Sequence, residues 1–135
     1  MWTRCAAGLA LALAAAGCGT PSHDLFAVER AGSIPGAKLR MIVSDGGTVT
    51  CDGGKAVSIS SEELLEAREL GHELEEPAQR GLRLAPAAGS VLRYTVRTGE
   101  GTVRFGDNSR AKPQVLDRLV FYVRRLAKER CRLKR

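Results

Sequence analysis

Apolar and polar residues alternate in two stretches of this chain, and each stretch turns sharply and resumes. Leu39, Met41 and Val43 alternate with Lys38, Arg40 and Ile42. After Ser44-Asp45-Gly46-Gly47, Val49 and Cys51 alternate with Thr48 and Thr50. Period-two alternation broken by an Asp-Gly turn predicts a β-hairpin with Val49 and Cys51 on its inner face. The second stretch sets Leu92, Tyr94 and Val96 against Arg93, Thr95 and Arg97. It turns at Thr98-Gly99-Glu100-Gly101, then sets Val103 and Phe105 against Thr102 and Arg104.

A helical period follows each hairpin. Ser60 and Glu63 have capping-box spacing, and Leu64, Ala67, Leu70 and Leu74 recur on one face until Pro77, where the helix is predicted to end. Gly71 lies inside it, at a cost of about 1 kcal/mol against Ala, and leaves room for another element to approach. Pro113 suits the first turn of the second helix. Leu116, Leu119, Val120, Val123, Leu126 and Ala127 give that helix a broad apolar face, on which Cys131 also falls. Ala56 to Ile59 is a short extended piece, and residues 78–90 read as a loop. The predicted fold is α+β in the order ββαββα: a four-stranded, mainly antiparallel sheet with both helices on one face. The opposite, solvent face would carry Thr48, Thr50, Thr95 and Thr102 together with Arg40, Arg93, Arg97 and Arg104. Those four arginines form the candidate binding face; the alternative reading is an ordinary polar strand surface.

The N-terminal region has a different pattern. Arg4 is followed by an Ala/Leu stretch, Ala6 to Ala16, too short to span a bilayer, which takes about 20 residues. It closes on Ala16-Gly17-Cys18, which resembles a bacterial lipobox, with Ala15 where that pattern favours Leu. The resemblance implies a signal peptide over residues 1–17, cleavage before Cys18 and a lipid on the Cys18 sulfur. An ordinary secretory signal is the alternative. Residues 18–37, rich in Gly, Pro, Ser and Ala, then read as a lipidated cysteine with a flexible tether. Leu25-Phe26-Ala27-Val28 is the one apolar cluster there, and His23 is expected to be exposed. Residues 38–135 would be a single domain ending in a basic tail.

Charge and cysteine content follow from this frame. The formal net charge is +6, unevenly spread. Residues 62–76 hold seven acids against Arg68, a net of −6, while residues 113–135 hold eight bases against Asp117 and Glu129, a net of +6. These are either solvated helix faces or an electrostatic pair, within the chain or with a partner. The basic tail also suits an anionic lipid surface. Nucleic acid is not expected, because the compartment is wrong and aromatics for stacking are few. Of the four cysteines, Cys5 leaves with the signal and Cys18 takes the lipid. Cys51 and Cys131 remain in an oxidising compartment, both predicted to point inward, and are expected to form a disulfide. A metal site is the alternative and would need two further ligands, with His72 the only histidine in the folded part.

Catalytic constellations are not found. There is no serine elbow, phosphate-binding glycine loop or HExxH motif. His72 sits among acids on the first helix and reads as exposed. The two Asp-Gly-Gly sequences lack the further oxygen ligands of a calcium loop and read as turns. No cofactor or metal is expected.

Residues 38–131 resemble small secreted lipoproteins of unknown function from high-GC actinobacteria. The resemblance is carried by Val43-Ser44-Asp45-Gly46-Gly47, Cys51-Asp52-Gly53-Gly54-Lys55, Gly101-Thr102-Val103-Arg104-Phe105, Asp107 and Cys131. Tyr94 through Leu126 is more distantly similar in pattern to emfourin-type protealysin inhibitors, small α+β proteins that block thermolysin-like metalloproteases. The expectation is a monomeric, lipid-anchored, extracytoplasmic, non-catalytic binding protein of the cell envelope with a protein or small ligand as partner. A metalloprotease inhibitor is the alternative, and a small enzyme depending on His72 a third.

Overall fold

The computed structural model describes residues 22–132. The predicted signal peptide, Cys18 and the last residues of the basic tail lie outside the described residues. The elements run β1 (Asp24–Gly32), β2 (Leu39–Ser44), β3 (Thr48–Cys51), β4 (Val57–Ser58), α1 (Ser61–Gln79), β5 (Leu92–Thr98), β6 (Gly101–Gly106) and α2 (Gln114–Glu129). The strands form one antiparallel sheet in the order β4-β3-β2-β1-β5-β6.

Both predicted hairpins are present, but the sheet has six strands instead of four. The larger correction is β1. Residues assigned to a tether form the central strand, pairing with β2 on one side and β5 on the other. Without β1 the two hairpins would not be joined. Its inner row is Phe26, Val28 and Arg30, all buried. An arginine in the third inward place, with Ala27 and Ala31 opposite, conceals the alternation that marks the other strands. The Arg30 side chain is held from below, Nε donating to the Ala37 carbonyl at 2.7 Å and Nη2 to the Gly36 carbonyl at 3.1 Å. The sixth strand, β4, has only two exposed residues, too few to show a period. The order is therefore ββββαββα.

One face of the sheet carries the core. Phe26, Val28, Leu39, Met41, Val43, Val49, Tyr94, Val96, Val103 and Phe105 meet Leu70 and Leu74 of α1 and Leu116, Leu119, Tyr122 and Leu126 of α2. The Phe26 ring stands edge-on to Tyr122, centroids 6.2 Å apart.

Helix α1 begins with the expected capping box. Ser60 Oγ accepts from the Glu63 N–H at 3.1 Å, and Glu63 Oε2 accepts from the Ser60 N–H at 2.7 Å. Pro77, expected to end the helix, lies within it, and the helix runs on to Gln79. Proline removes one N–H donor, but Pro77 and Ala78 are buried and extend the apolar face beyond Leu74. The carbonyl of Ala78 also lies where a Cβ at Gly101 would sit, so only glycine fits there (φ +153°). The space around Gly71 is ordinary. A Cβ there would lie 3.9 Å from Leu25 Cβ, a normal contact. Gly71→Ala is therefore expected to stabilise the protein by about 0.5–1 kcal/mol through helix propensity, measurable as a raised urea midpoint.

The charge asymmetry between the helices resolves into an intramolecular pair. Arg118 bonds Glu73 at 2.6 Å and lies 3.4 Å from Glu69, Arg125 bonds Glu66, and Arg130 meets Glu63 at 2.9 Å. Glu63 is buried: it caps α1 while receiving Arg130 from the end of α2. Beside that contact, Cys131 is bonded to Cys51 with Cα atoms 6.0 Å apart. Cys131 lies just past the end of α2, not on the helix as the period implied. The disulfide thus ties the end of the second helix to β3.

Candidate functional site

The outer face of the sheet is shaped into a trough. Its floor is the outward row of the central strands, including Glu29, Arg40, Arg93, Thr95 and Arg104. Arg30, Leu39, Tyr94 and Phe105 complete the floor; strand alternation puts their side chains on the opposite, buried face. One wall is the segment Arg83–Pro86. It leaves α1, pairs with the free edge of β6 through the Arg104 N–H to Leu82 O and the Leu84 N–H to Arg104 O (2.9 and 2.8 Å), then climbs over the sheet. Gly106 permits this crossing. A Cβ there would lie 2.9 Å from Pro86 Cβ. Lys38 and Asp52 border the other side. The trough is open on one side and has a volume of about 760 Å³, within the range of small-molecule clefts.

The wall is pinned at its far end. Ser109 Oγ donates to Ala85 O at 2.9 Å, and the Asn108 side chain both accepts from the Ala87 N–H and donates to the Ala88 carbonyl. Asp107 gathers Ser90 Oγ at 2.7 Å and the Val91 N–H at 3.4 Å. Burial alone raises the Asp107 pKa, but the bonds from Ser90 and from the backbone of Val91, Leu92 and Asn108 outweigh it and hold the carboxyl below its ordinary 3.8. A depressed carboxylate pKa gives stability that is complete above the unfolded value and lost as pH falls through the folded one. Asp107→Asn is therefore expected to lower the melting temperature near neutral pH, with the gap to wild type closing as pH falls below 3.8. A gap independent of pH would contradict the assignment.

Charges in the trough are unbalanced. Lys38, Arg40, Arg83, Arg93 and Arg104 face two acids, Glu29 and Asp52, a net of +3. Both acids are engaged. Glu29 bonds Arg97 Nη1 at 2.8 Å, and Asp52 Oδ1 accepts from the Arg40 N–H at 2.8 Å. Among the described residues the five cations form no ion pair, whereas Arg68, Arg80, Arg97, Arg118, Arg125 and Arg130 each bond a carboxylate.

No family model, curated protein or solved structure matches this chain. What the site can do must therefore be read from its chemistry.

Of the four arginines on the predicted face, the trough brings together Arg40, Arg93 and Arg104. Arg97 lies on the same face but outside the trough, occupied by Glu29. Thr95 lines it, whereas Thr48, Thr50 and Thr102 do not. Arg83 and Lys38 were missed. Arg83 sits in a segment without periodicity, and Lys38 precedes its strand. His72 is exposed, its Nδ1 3.4 Å from Glu75. Among the described residues there is no cluster of three or more His, Cys, Asp or Glu side chains placed to hold a metal, and no helix long and apolar enough to cross a membrane.

Proposed function

We propose that this chain is a lipid-anchored, extracytoplasmic, non-catalytic binding protein, and that the outer face of its sheet is the binding surface. The observation that carries this reading is the concentration of five cations without an ion pair around one cavity. Among the described residues, Arg68, Arg80, Arg97, Lys112, Arg118, Arg125 and Arg130 are matched with acids; five cations without an acid share this one concave surface, and others without one, such as Arg110 and Arg124, lie outside it. A folded protein gains nothing from concentrating unmatched like charges, so the arrangement favours a ligand. The lining is dominated by arginines, which hold anions and do not move protons at ordinary pH, so the cleft suits binding better than proton transfer or nucleophilic attack.

The anchor would sit close to the domain. Six residues link Cys18 to Asp24, at most about 20 Å of chain. The trough residues of β1 begin at Glu29, about 17 Å farther along the strand. A linker of that reach would leave the domain close to the membrane surface without fixing which face it turns outward.

Fractionation of cells expressing the full chain tests the anchor, and in-cell crosslinking from Arg93 tests the surface. The proposal predicts a membrane-bound protein released by Cys18→Ala, and crosslinked or ligand-dependent products from position 93 but not from exposed Leu65 on α1. A protein retained in the cytoplasm, or equal products from both positions, would refute it.

A further inference from the structure

We infer that the trough binds a small molecule bearing two or more oxyanion groups, carboxylates or phosphates, on a compact body. This rests on the sheet face being the binding surface and names the chemistry it selects.

The first ground is electrostatic. Five side-chain cations and two engaged acids surround one cavity, and a sixth cation lies behind the floor. Arg30 is 2% exposed and bonds only carbonyl oxygens, and its Nη1 has no partner. A buried guanidinium without a carboxylate is costly unless an anion is near. Its charge acts through a thin, low-dielectric sheet, where screening is weak. Tyr94 Oη is the other buried side-chain atom without a partner among the described residues. Tyr94 and Arg30 face each other across β1 and β5, directly beneath the trough.

The second ground is geometric. Guanidinium groups are planar forks that pair two-for-two with carboxylate or phosphate oxygens. Arg40, Arg93 and Arg104 rise from three different strands, with Arg40 and Arg104 at the two ends of the cross-strand row Arg40–Glu29–Thr95–Arg104, so several oxyanions on one body match their spread better than a single one. Leu84, Ala85 and Pro86 offer that body an apolar wall.

The shape disfavours polymers. Tyr94 and Phe105 stack on each other inside the core, centroids 5.1 Å apart, so no aromatic in the floor is left to stack a nucleobase. The β6 edge, where an acidic peptide would add as a strand, is already paired with residues 82–84.

Calorimetric titration of the purified full chain with pyrophosphate and with citrate tests this. Binding tighter than about 1 mM is expected for at least one, and the tighter of the two shows whether phosphate or carboxylate is preferred. Arg93→Gln and Arg104→Gln should each weaken it about tenfold, while Arg110→Gln, outside the trough, should leave it unchanged. Circular dichroism establishes that each variant is folded. The inference is overturned if neither anion binds, if Arg110→Gln weakens binding as much as the trough variants, or if only vesicles containing anionic lipid bind. Should the anions fail while crosslinking at position 93 still captures an envelope protein, the ligand class falls and the binding surface stands.

Discussion

Phe26→Ala is expected to destabilise the protein by about 3–5 kcal/mol, the range for removing a buried aromatic ring. Phe26 is 1% exposed, lies on the inner row of the central strand and meets the Tyr122 ring of α2. Truncation would leave a cavity where strand and helix join, and the surrounding core would refill it only in part. Ile34→Ala is the matched control. Ile34 lies two residues beyond the same strand and is 45% exposed, so its loss should cost under about 0.5 kcal/mol. Urea unfolding of the two variants separates β1 as a structural strand from the same residues as a tether. Equal, small effects would mean that the domain folds without β1.

Opening the Cys51–Cys131 disulfide is expected to cost about 2–4.5 kcal/mol. The bond closes a loop with a sequence separation of 80, and the entropy of an unfolded chain freed from such a loop sets the upper figure. The structure adds a local reason. The disulfide fixes the end of α2, where Arg130 enters the capping carboxylate of Glu63. Losing the bond should therefore loosen the contact between the two helices as well. Both cysteines are only half-buried, so the paired Cys51→Ala, Cys131→Ala variant loses little packing, and its unfolding midpoint should match that of the reduced protein. Unchanged stability after reduction, with two free thiols by alkylation, would contradict the assignment.

Legibility in the sequence followed periodicity. The β2–β3 and β5–β6 hairpins and both helices have clean alternation or helical spacing, and they form where the pattern puts them. The disulfide was legible because each cysteine continues an apolar row, although Cys131 falls just past its helix. The acidic and basic helices left two readings open, and only their antiparallel packing in space decides that they pair with each other. Strand β1 was hidden by its own chemistry: an inward arginine satisfied by the carbonyls of Gly36 and Ala37 looks like a polar residue in a loop. Pro77 misled because a proline in the last turn of a helix forfeits little when its ring fills the core.

The trough was legible in its floor and not in its walls. Outward alternation marked Arg40, Arg93 and Arg104. Nothing in residues 83–86 announces that they pair with β6 and then pass over Gly106, because that path depends on a glycine of β6 that is distant in sequence and adjacent only in space. The ion pair removing Arg97 joins residues 68 positions apart, a separation that strand register alone brings together.

The outer face of the sheet is the surface proposed to meet the ligand. Amide chemical shifts of the isotopically labelled chain, followed during addition of pyrophosphate or citrate, map that contact residue by residue. Binding in the trough predicts shifts concentrated at Glu29, Arg40, Arg93, Thr95, Arg104 and the wall at Leu84 and Ala85, with the outward positions of α1 and α2 unmoved. Shifts centred on the two helices, or spread evenly over the basic residues of the whole surface, would contradict it.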